Sequence, residues 1–203
     1  MKSSLSEIVP IIGTSMGDGF YAGRIRIGDQ VFALIVAPKA EGEHEDSPWN
    51  KSFKNVAGAC SYNDGLANTA AMAEAASKLA KWALDLRIGG HDDWYLPSLD
   101  ELEVIYRNLK PTTDENTLYG RSGLNVSAVP ATYPYTDAAP AQTQAEAFKA
   151  GGEQAFDDVC YWSSTQHAAS SGFAWSQHFG NGTQYDFYKS AQLRARAVRR
   201  LPI

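Results

Sequence analysis

The chain is short of several things, and each shortage closes off a class of function. Of its 203 residues two are cysteines, Cys60 and Cys160, set far apart and without metal-ligand spacing. They form no disulfide framework or thiolate metal site, and two unrelated thiols are expected rather than a bridge. Positive charge is scarce: the net charge is −5, and the only basic run is Arg194, Arg196, Arg199 and Arg200. Nucleic-acid binding needs a basic face, so no nucleic-acid partner is expected. No apolar run approaches membrane-spanning length, which argues against membrane insertion. Met1-Lys2-Ser3-Ser4 opens no apolar signal-peptide core, so export by an ordinary signal peptide is not expected. There is no internal repeat and no low-complexity segment.

Charge is scarcest where the sequence is most informative. Between Gln166 and Leu193 only Asp186 and Lys189 are charged. Around that interval, Tyr161 to Arg200 alternates two kinds of text. A stiff framework comprises Tyr161-Trp162-Ser163-Ser164-Thr165, Ala174-Trp175, Gln177, Phe179, Gly182, Lys189 and Arg194 to Arg200. Between these stand positions that look freely chosen: Ser171, Phe173, Ser176, His178, Asn181, Thr183, Tyr185, Asp186, Phe187, Tyr188, Ser190 and Ala191. Their palette is that of a paratope, in which aromatic rings give contact area at low entropic cost and Ser, Gly and Asn give adaptable hydrogen bonds. The plainer reading is an antiparallel sheet with polar loops. Four consecutive chosen positions, Tyr185 to Tyr188, point to a loop tip rather than a regular strand. Trp162 is expected in the core, whereas Trp175 fits either a pillar under a binding face or a part of it.

Upstream, Phe20 to Ile27 alternates as a half-buried strand. Gly28-Asp29 turns the chain into Val31 to Val36, apolar throughout and therefore predicted to be covered on both faces. A first helix is predicted over Asn68 to Arg87, with Met72, Ala75, Ala76, Leu79, Trp82, Ala83 and Leu86 on one face. Pro97-Ser98-Leu99-Asp100-Glu101 announces a second helix with a capping box of Ser98 and Glu101. Its stripe is Leu99, Leu102, Tyr106 and Leu109, expected to be buried together with Trp162. Residues 111–158 show no long period apart from a possible short helix at Gln142 to Ala150, and a loop of this length is usually functional or disordered.

Enzymatic chemistry finds little support. His91-Asp92-Asp93 could supply acid/base groups or ligands but reads more simply as a polar turn before Trp94. Ser163-Ser164 lacks nucleophile-elbow glycines. Asp92, Asp93 and Glu101 could hold a structural ion, yet capping explains Glu101 more simply. No metal, cofactor or catalytic residue is therefore expected.

Three blocks carry a resemblance: Gly89 to Leu102 (GGHDDWYLPSLDEL), Tyr161 to Thr165 (YWSST) and Arg196 to Arg200 (RAVRR). In this order they resemble the C-terminal domain of bacterial collagen-like adhesins, which recurs in phage tail proteins. The resemblance implies an α+β chain with a C-type lectin fold of the formylglycine-generating-enzyme type: two helices on a small antiparallel sheet, with long inserted loops. It also implies a single domain over 1–203, with 111–158 as an insertion and 161–200 as a diversified binding segment. The interleaved segment resembles the variable proteins of diversity-generating retroelements. That resemblance implies a non-enzymatic protein displaying a hypervariable surface to a protein or carbohydrate receptor on a cell surface, as in phage tail attachment, with an oligomer possible. The rivals are a binding module of a retroelement cassette without phage role and a carbohydrate-active enzyme using Asp92, Asp93 or Glu101.

Overall fold

Alternation in the first strand and an unbroken apolar run in the second produce the hairpin expected of them. A computed structural model describes residues 10–119 and 121–203. The Met1-Lys2-Ser3-Ser4 opening, on which the expectation of no signal peptide rests, lies outside the described residues. Strand β1 (Ser15–Met16) leads into β2 (Gly19–Ile27), which pairs antiparallel with β3 (Gln30–Val36) across a turn where Gly28 has φ +57°. The C-terminal strand β9 (Val198–Pro202) joins β3 and completes a four-stranded sheet, β1-β2-β3-β9. β3 is covered on both faces: Leu34 and Val36 enter one buried cluster, Ala33 and Ile35 another with Tyr21, Ile88 and Trp94.

A single helical turn, α1 (Lys39–Gly42), and β4 (Glu43–Ser47) follow. The predicted first helix is two helices, α2 (Gly65–Glu74) and α3 (Lys78–Asp85). Ala76 sits at φ +62°, and Ser77 Oγ accepts from Ala80 N at 3.3 Å while donating to Trp49 O at 2.6 Å. The apolar period runs on through this break, so periodicity merges what a serine cap divides. The other helix, α4 (Leu99–Leu109), starts on the expected capping box. Glu101 Oε2 accepts from Ser98 N at 2.7 Å and from Gly65 N at 3.1 Å, while Oε1 accepts from Tyr95 OH at 2.7 Å. One buried carboxylate thus ties together the starts of α2 and α4, and burial pushes its pKa up.

The late strands are β5 (Cys160–Gln166), β6 (Phe173–His178), β7 (Gln184–Tyr188) and β8 (Leu193–Arg196). With β4 they form a second sheet, ordered β4-β8-β5-β6-β7, in which the β5/β8 pair is parallel. The architecture is mixed α+β, with two sheets where one small antiparallel sheet was expected. Alternation along β5 divides its rings. Tyr161 packs in the cluster of Leu34, Leu102 and Tyr106, whereas Trp162 packs with Trp49, Met72, Leu79 and Leu96. The expected grouping of Trp162 with Leu102 and Tyr106 is therefore corrected by one residue: all are buried, but Tyr161 is the one against α4. Gly23, at φ +135°, shows how tightly α4 lies on β2, because a Cβ there would meet Val104 Cγ1 at 2.7 Å.

Among the described residues of 111–158 the one helical element is a 3-10 turn at Glu146–Phe148, in place of the expected short helix. Side-chain bonds from α4 organise part of this stretch. Asp100 accepts from Arg121 Nη1 at 2.7 Å and from Ser127 Oγ at 2.8 Å, and Glu103 accepts from Asn125 Nδ2 at 2.8 Å. The terminal arginines pair with acids: Arg194 and Arg196 with Glu43, Arg199 with Asp93, Arg200 with Asp64. Arg196 and Glu43 are buried, so this pair differs from the weak exposed kind. Both cysteines are free. Among the described residues no helix is long and apolar enough to cross a membrane.

Candidate functional site

β7 is the edge of the second sheet, and its five residues are a regular strand rather than a loop tip. Its register with β6 pairs Phe173 with Tyr188, Ala174 with Phe187, Trp175 with Asp186 and Ser176 with Tyr185. Side chains therefore alternate. Asp186 and Tyr188 share a face with Phe173 and Trp175. Tyr185 and Phe187 share the opposite face, where the Phe187 ring meets Trp162 edge-on at 6.4 Å. The loop-tip expectation fails because an edge strand opens side chains on either face to solvent without leaving the sheet.

The predicted positions divide accordingly. Ser171, Asp186 and Ser190 are exposed, as are Tyr185 (40%) and Tyr188 (59%). Phe173, His178, Asn181, Phe187 and Ala191 are half-buried. Ser176 and Thr183 are buried, which corrects their expected place on the surface. Ser176 lies mid-strand on the inner face and donates through Oγ to Tyr185 O at 3.0 Å. Thr183 closes the β6–β7 turn by donating to Asn181 Oδ1 at 2.9 Å. His178 stands at the same turn, 3.6 Å from Asp158. Turn and strand positions are thus brought onto one hairpin, and three of the exposed ones, Ser171, Tyr188 and Ser190, lie at or beside its Phe173/Tyr188 end.

There the rings converge. Phe173 and Tyr188 lie 4.2 Å apart at 33°, and Phe53 meets Tyr188 edge-on at 6.2 Å. Phe53 is half exposed and comes from a loop that sequence reading passed over. Its anchor is Lys189, buried among Trp49, Lys54 and Gln166. Lys189 Nζ donates to Gln166 Oε1 at 2.6 Å and to Lys54 O at 3.0 Å, and lies 4.6 Å from the Trp49 ring centre. Gln166 Oε1 also accepts from Val56 N at 2.8 Å. Burial pulls the Lys189 pKa down to about 8.

At the other end of β7 a cavity of about 370 Å³ opens between Tyr119 and Arg121 of the insertion and Trp175, Gln184, Tyr185 and Asp186 of β6 and β7. Trp175 stacks on His167 at 5.2 Å and 25° and forms part of the wall. Tyr119, Arg121 and Gln184 were not foreseen. The one signal was Leu118-Tyr119, an exposed apolar pair in an aperiodic stretch. A larger hollow of about 540 Å³, between residues 11–14 and 141–147, is lined by none of the predicted positions.

Of the groups weighed for catalysis or ion binding, His91, Asp93, Glu101, Ser163 and Ser164 are otherwise engaged. His91 pairs with Asp18 at 3.0 Å, and Asp93 accepts from Nε and Nη2 of Arg199. Glu101 caps α4, so Asp92, Asp93 and Glu101 do not converge. Ser163 Oγ donates to Trp175 O at 2.8 Å and Ser164 Oγ to Pro97 O at 3.1 Å, both buried.

No curated protein matches the chain. Residues 43–199 match the family described as the Lcl C-terminal domain. This match takes in α2 to α4, the insertion and all the late strands up to the start of β9, and it agrees with the resemblance read from the three sequence blocks. The chain belongs to the Lcl C-terminal domain family.

Proposed function

We propose that this protein is a non-enzymatic, adhesin-type binding module that presents the β6–β7 hairpin to a protein or carbohydrate receptor on a cell surface. The scaffold is read as C-type lectin-like and the hairpin as the product of retroelement diversification, with phage tail attachment as the setting. The observation that carries the reading is the split within one sheet. Tyr161 to Gln166 is buried without exception, whereas Tyr185, Asp186 and Tyr188, two strands away, are exposed. Exposed Tyr188 beside Phe53 and Phe173 makes an anchor of the kind that dominates binding energy at interfaces.

Two measurements test it. DNA around the gene should hold a reverse transcriptase and a near-copy of the codons for 161–200. That copy should differ at 173 and 185–188 and agree at 161–166; differences scattered over the β5 codons would defeat the diversification reading. Fluorescently labelled protein should bind whole bacterial cells of some strains, and Tyr185→Ala with Tyr188→Ala should remove that binding without changing the melting curve. Undiminished binding by the double variant would defeat the receptor reading.

A further inference from the structure

Three buried side-chain polar atoms have no hydrogen-bond partner among the described residues: Trp94 Nε1, Trp175 Nε1 and Gln184 Oε1. Trp175 and Gln184 both line the cavity of about 370 Å³ beside β7. Unpartnered buried polar atoms are few in native proteins, and each calls for a reason. Here one is a donor and the other an acceptor. The Gln184 amide is fixed with its oxygen idle, because Nε2 donates to Gln177 Oε1 at 3.0 Å. Arg121 brings no free charge, since it donates to Asp100 and to Leu124 O and lies 4.9 Å from the Tyr62 ring centre.

Gln184 belongs to β7, the outer strand of the sheet, where it is buried while Asp186, two residues on, is exposed. His178 N donates to Thr183 O and Lys189 N to Gly172 O, which sets the phase of the β6/β7 ladder. With the register given above, the backbone N–H and C=O of Gln184 and Asp186 point away from β6. None of these four groups meets a partner among the described residues. A free edge and an adjoining side-chain cavity are the two parts of strand-addition recognition, in which main-chain bonds give affinity and pockets give specificity.

Resting on the receptor-binding reading, we propose that β7 docks an extended segment of a partner protein as a further strand, with an Asn or Gln of that segment filling the cavity. A carboxamide accepts from Trp175 Nε1 and donates to Gln184 Oε1 at once, so a single group satisfies both. Neither atom is open to water, so reaching them takes rotation of wall side chains, a common change at interfaces. The edge selects against a second copy of this chain: two β7 strands centred on Asp186 would set carboxylate against carboxylate. A partner strand with Lys or Arg across from Asp186 is favoured instead.

The test uses short synthetic Thr/Val peptides with a Lys on one side and Asn, Gln or Leu at the centre, read by fluorescence anisotropy against the full chain. A neutral oligosaccharide serves as the glycan control. Peptides centred on Asn or Gln should bind about tenfold more tightly than those centred on Leu. Asp186→Pro deletes an N–H that no sheet partner uses and should abolish peptide binding with the melting curve unchanged. Should that variant misfold, Gln184→Leu decides, because it should shift preference toward Leu. Equal binding of Asn and Leu peptides, binding of the oligosaccharide alone, no binding at all, or self-association that Asp186→Pro removes would each overturn the proposal. If Asp186→Pro still binds cells while the Tyr185→Ala, Tyr188→Ala variant does not, the edge inference falls and the receptor reading stands. If both still bind, both fall.

Discussion

Strands β5 and β7 flank β6 in one sheet, and both are built from aromatic and small polar residues. β5 hides everything from Tyr161 to Gln166, including the hydroxyls of Ser163, Ser164 and Thr165, whereas β7 leaves Tyr185, Asp186 and Tyr188 exposed. Hydrogen-bond destinations separate the two. Ser163, Ser164 and Thr165 each donate to a distant backbone carbonyl, those of Trp175, Pro97 and Ser61. The side chains of Tyr185, Asp186 and Tyr188 have no such destination among the described residues. A hydroxyl with a fixed backbone partner is scaffold, and one without is available to a ligand.

The largest expected effect sharpens the β5 side. Trp162 is fully buried, and its Nε1 donates to Ser47 O at 2.8 Å. Trp162→Ala would open a cavity among Trp49, Met72, Leu79 and Leu96 and leave the Ser47 carbonyl unpaired. Such truncations cost about 3–5 kcal/mol, against a total of about 5–15 kcal/mol for an ordinary domain. Urea denaturation should show that loss. A change under about 1 kcal/mol would place Trp162 outside the core and erase the contrast.

The second effect concerns the buried cation between the two regions. Folded Lys189 titrates near 8, below its usual 10.5. Between those values the unfolded chain holds a proton that the folded chain has released. Stability from this group is therefore lowest and flat below pH 8, rises across the window, and levels off above 10.5. Relative to Lys189→Met, the wild-type unfolding free energy should climb by about 3 kcal/mol from pH 8 to 10.5. A constant difference between the two proteins would mean that the ammonium is solvated and does not pin the Phe53 loop.

Legibility in the sequence followed the range of the interactions. The hairpin and the α4 capping box rest on period and local caps, which are visible in a single chain. The break at Ala76 was hidden because apolar spacing continues across it. The depth of Ser176 and Thr183 was hidden too, since palette cannot tell an inner-face serine from an outer one. Tyr119, Arg121 and Phe53 reach the hairpin from positions far away in sequence. No periodicity marks them, and their placement depends on anchors such as Asp100 and Lys189.

The smallest expected effect tests β7 against itself. Phe187 faces inward and is half-buried against Trp162, while Tyr188, one residue on, faces outward beside Phe173 and Phe53. A half-buried ring loses part of what a full core truncation costs, so Phe187→Ala should lower stability by about 1–2 kcal/mol. Tyr188→Ala should stay within about 0.5 kcal/mol, as exposed positions do. The order should reverse in binding to cells, where Tyr188→Ala loses more than Phe187→Ala because interface aromatics carry most when they are accessible. Thermal melts and cell binding on the two single variants decide it. Equal stability costs would show that β7 does not alternate, and a Phe187→Ala protein that is stable but binding-dead would put the display surface on the Trp162 face.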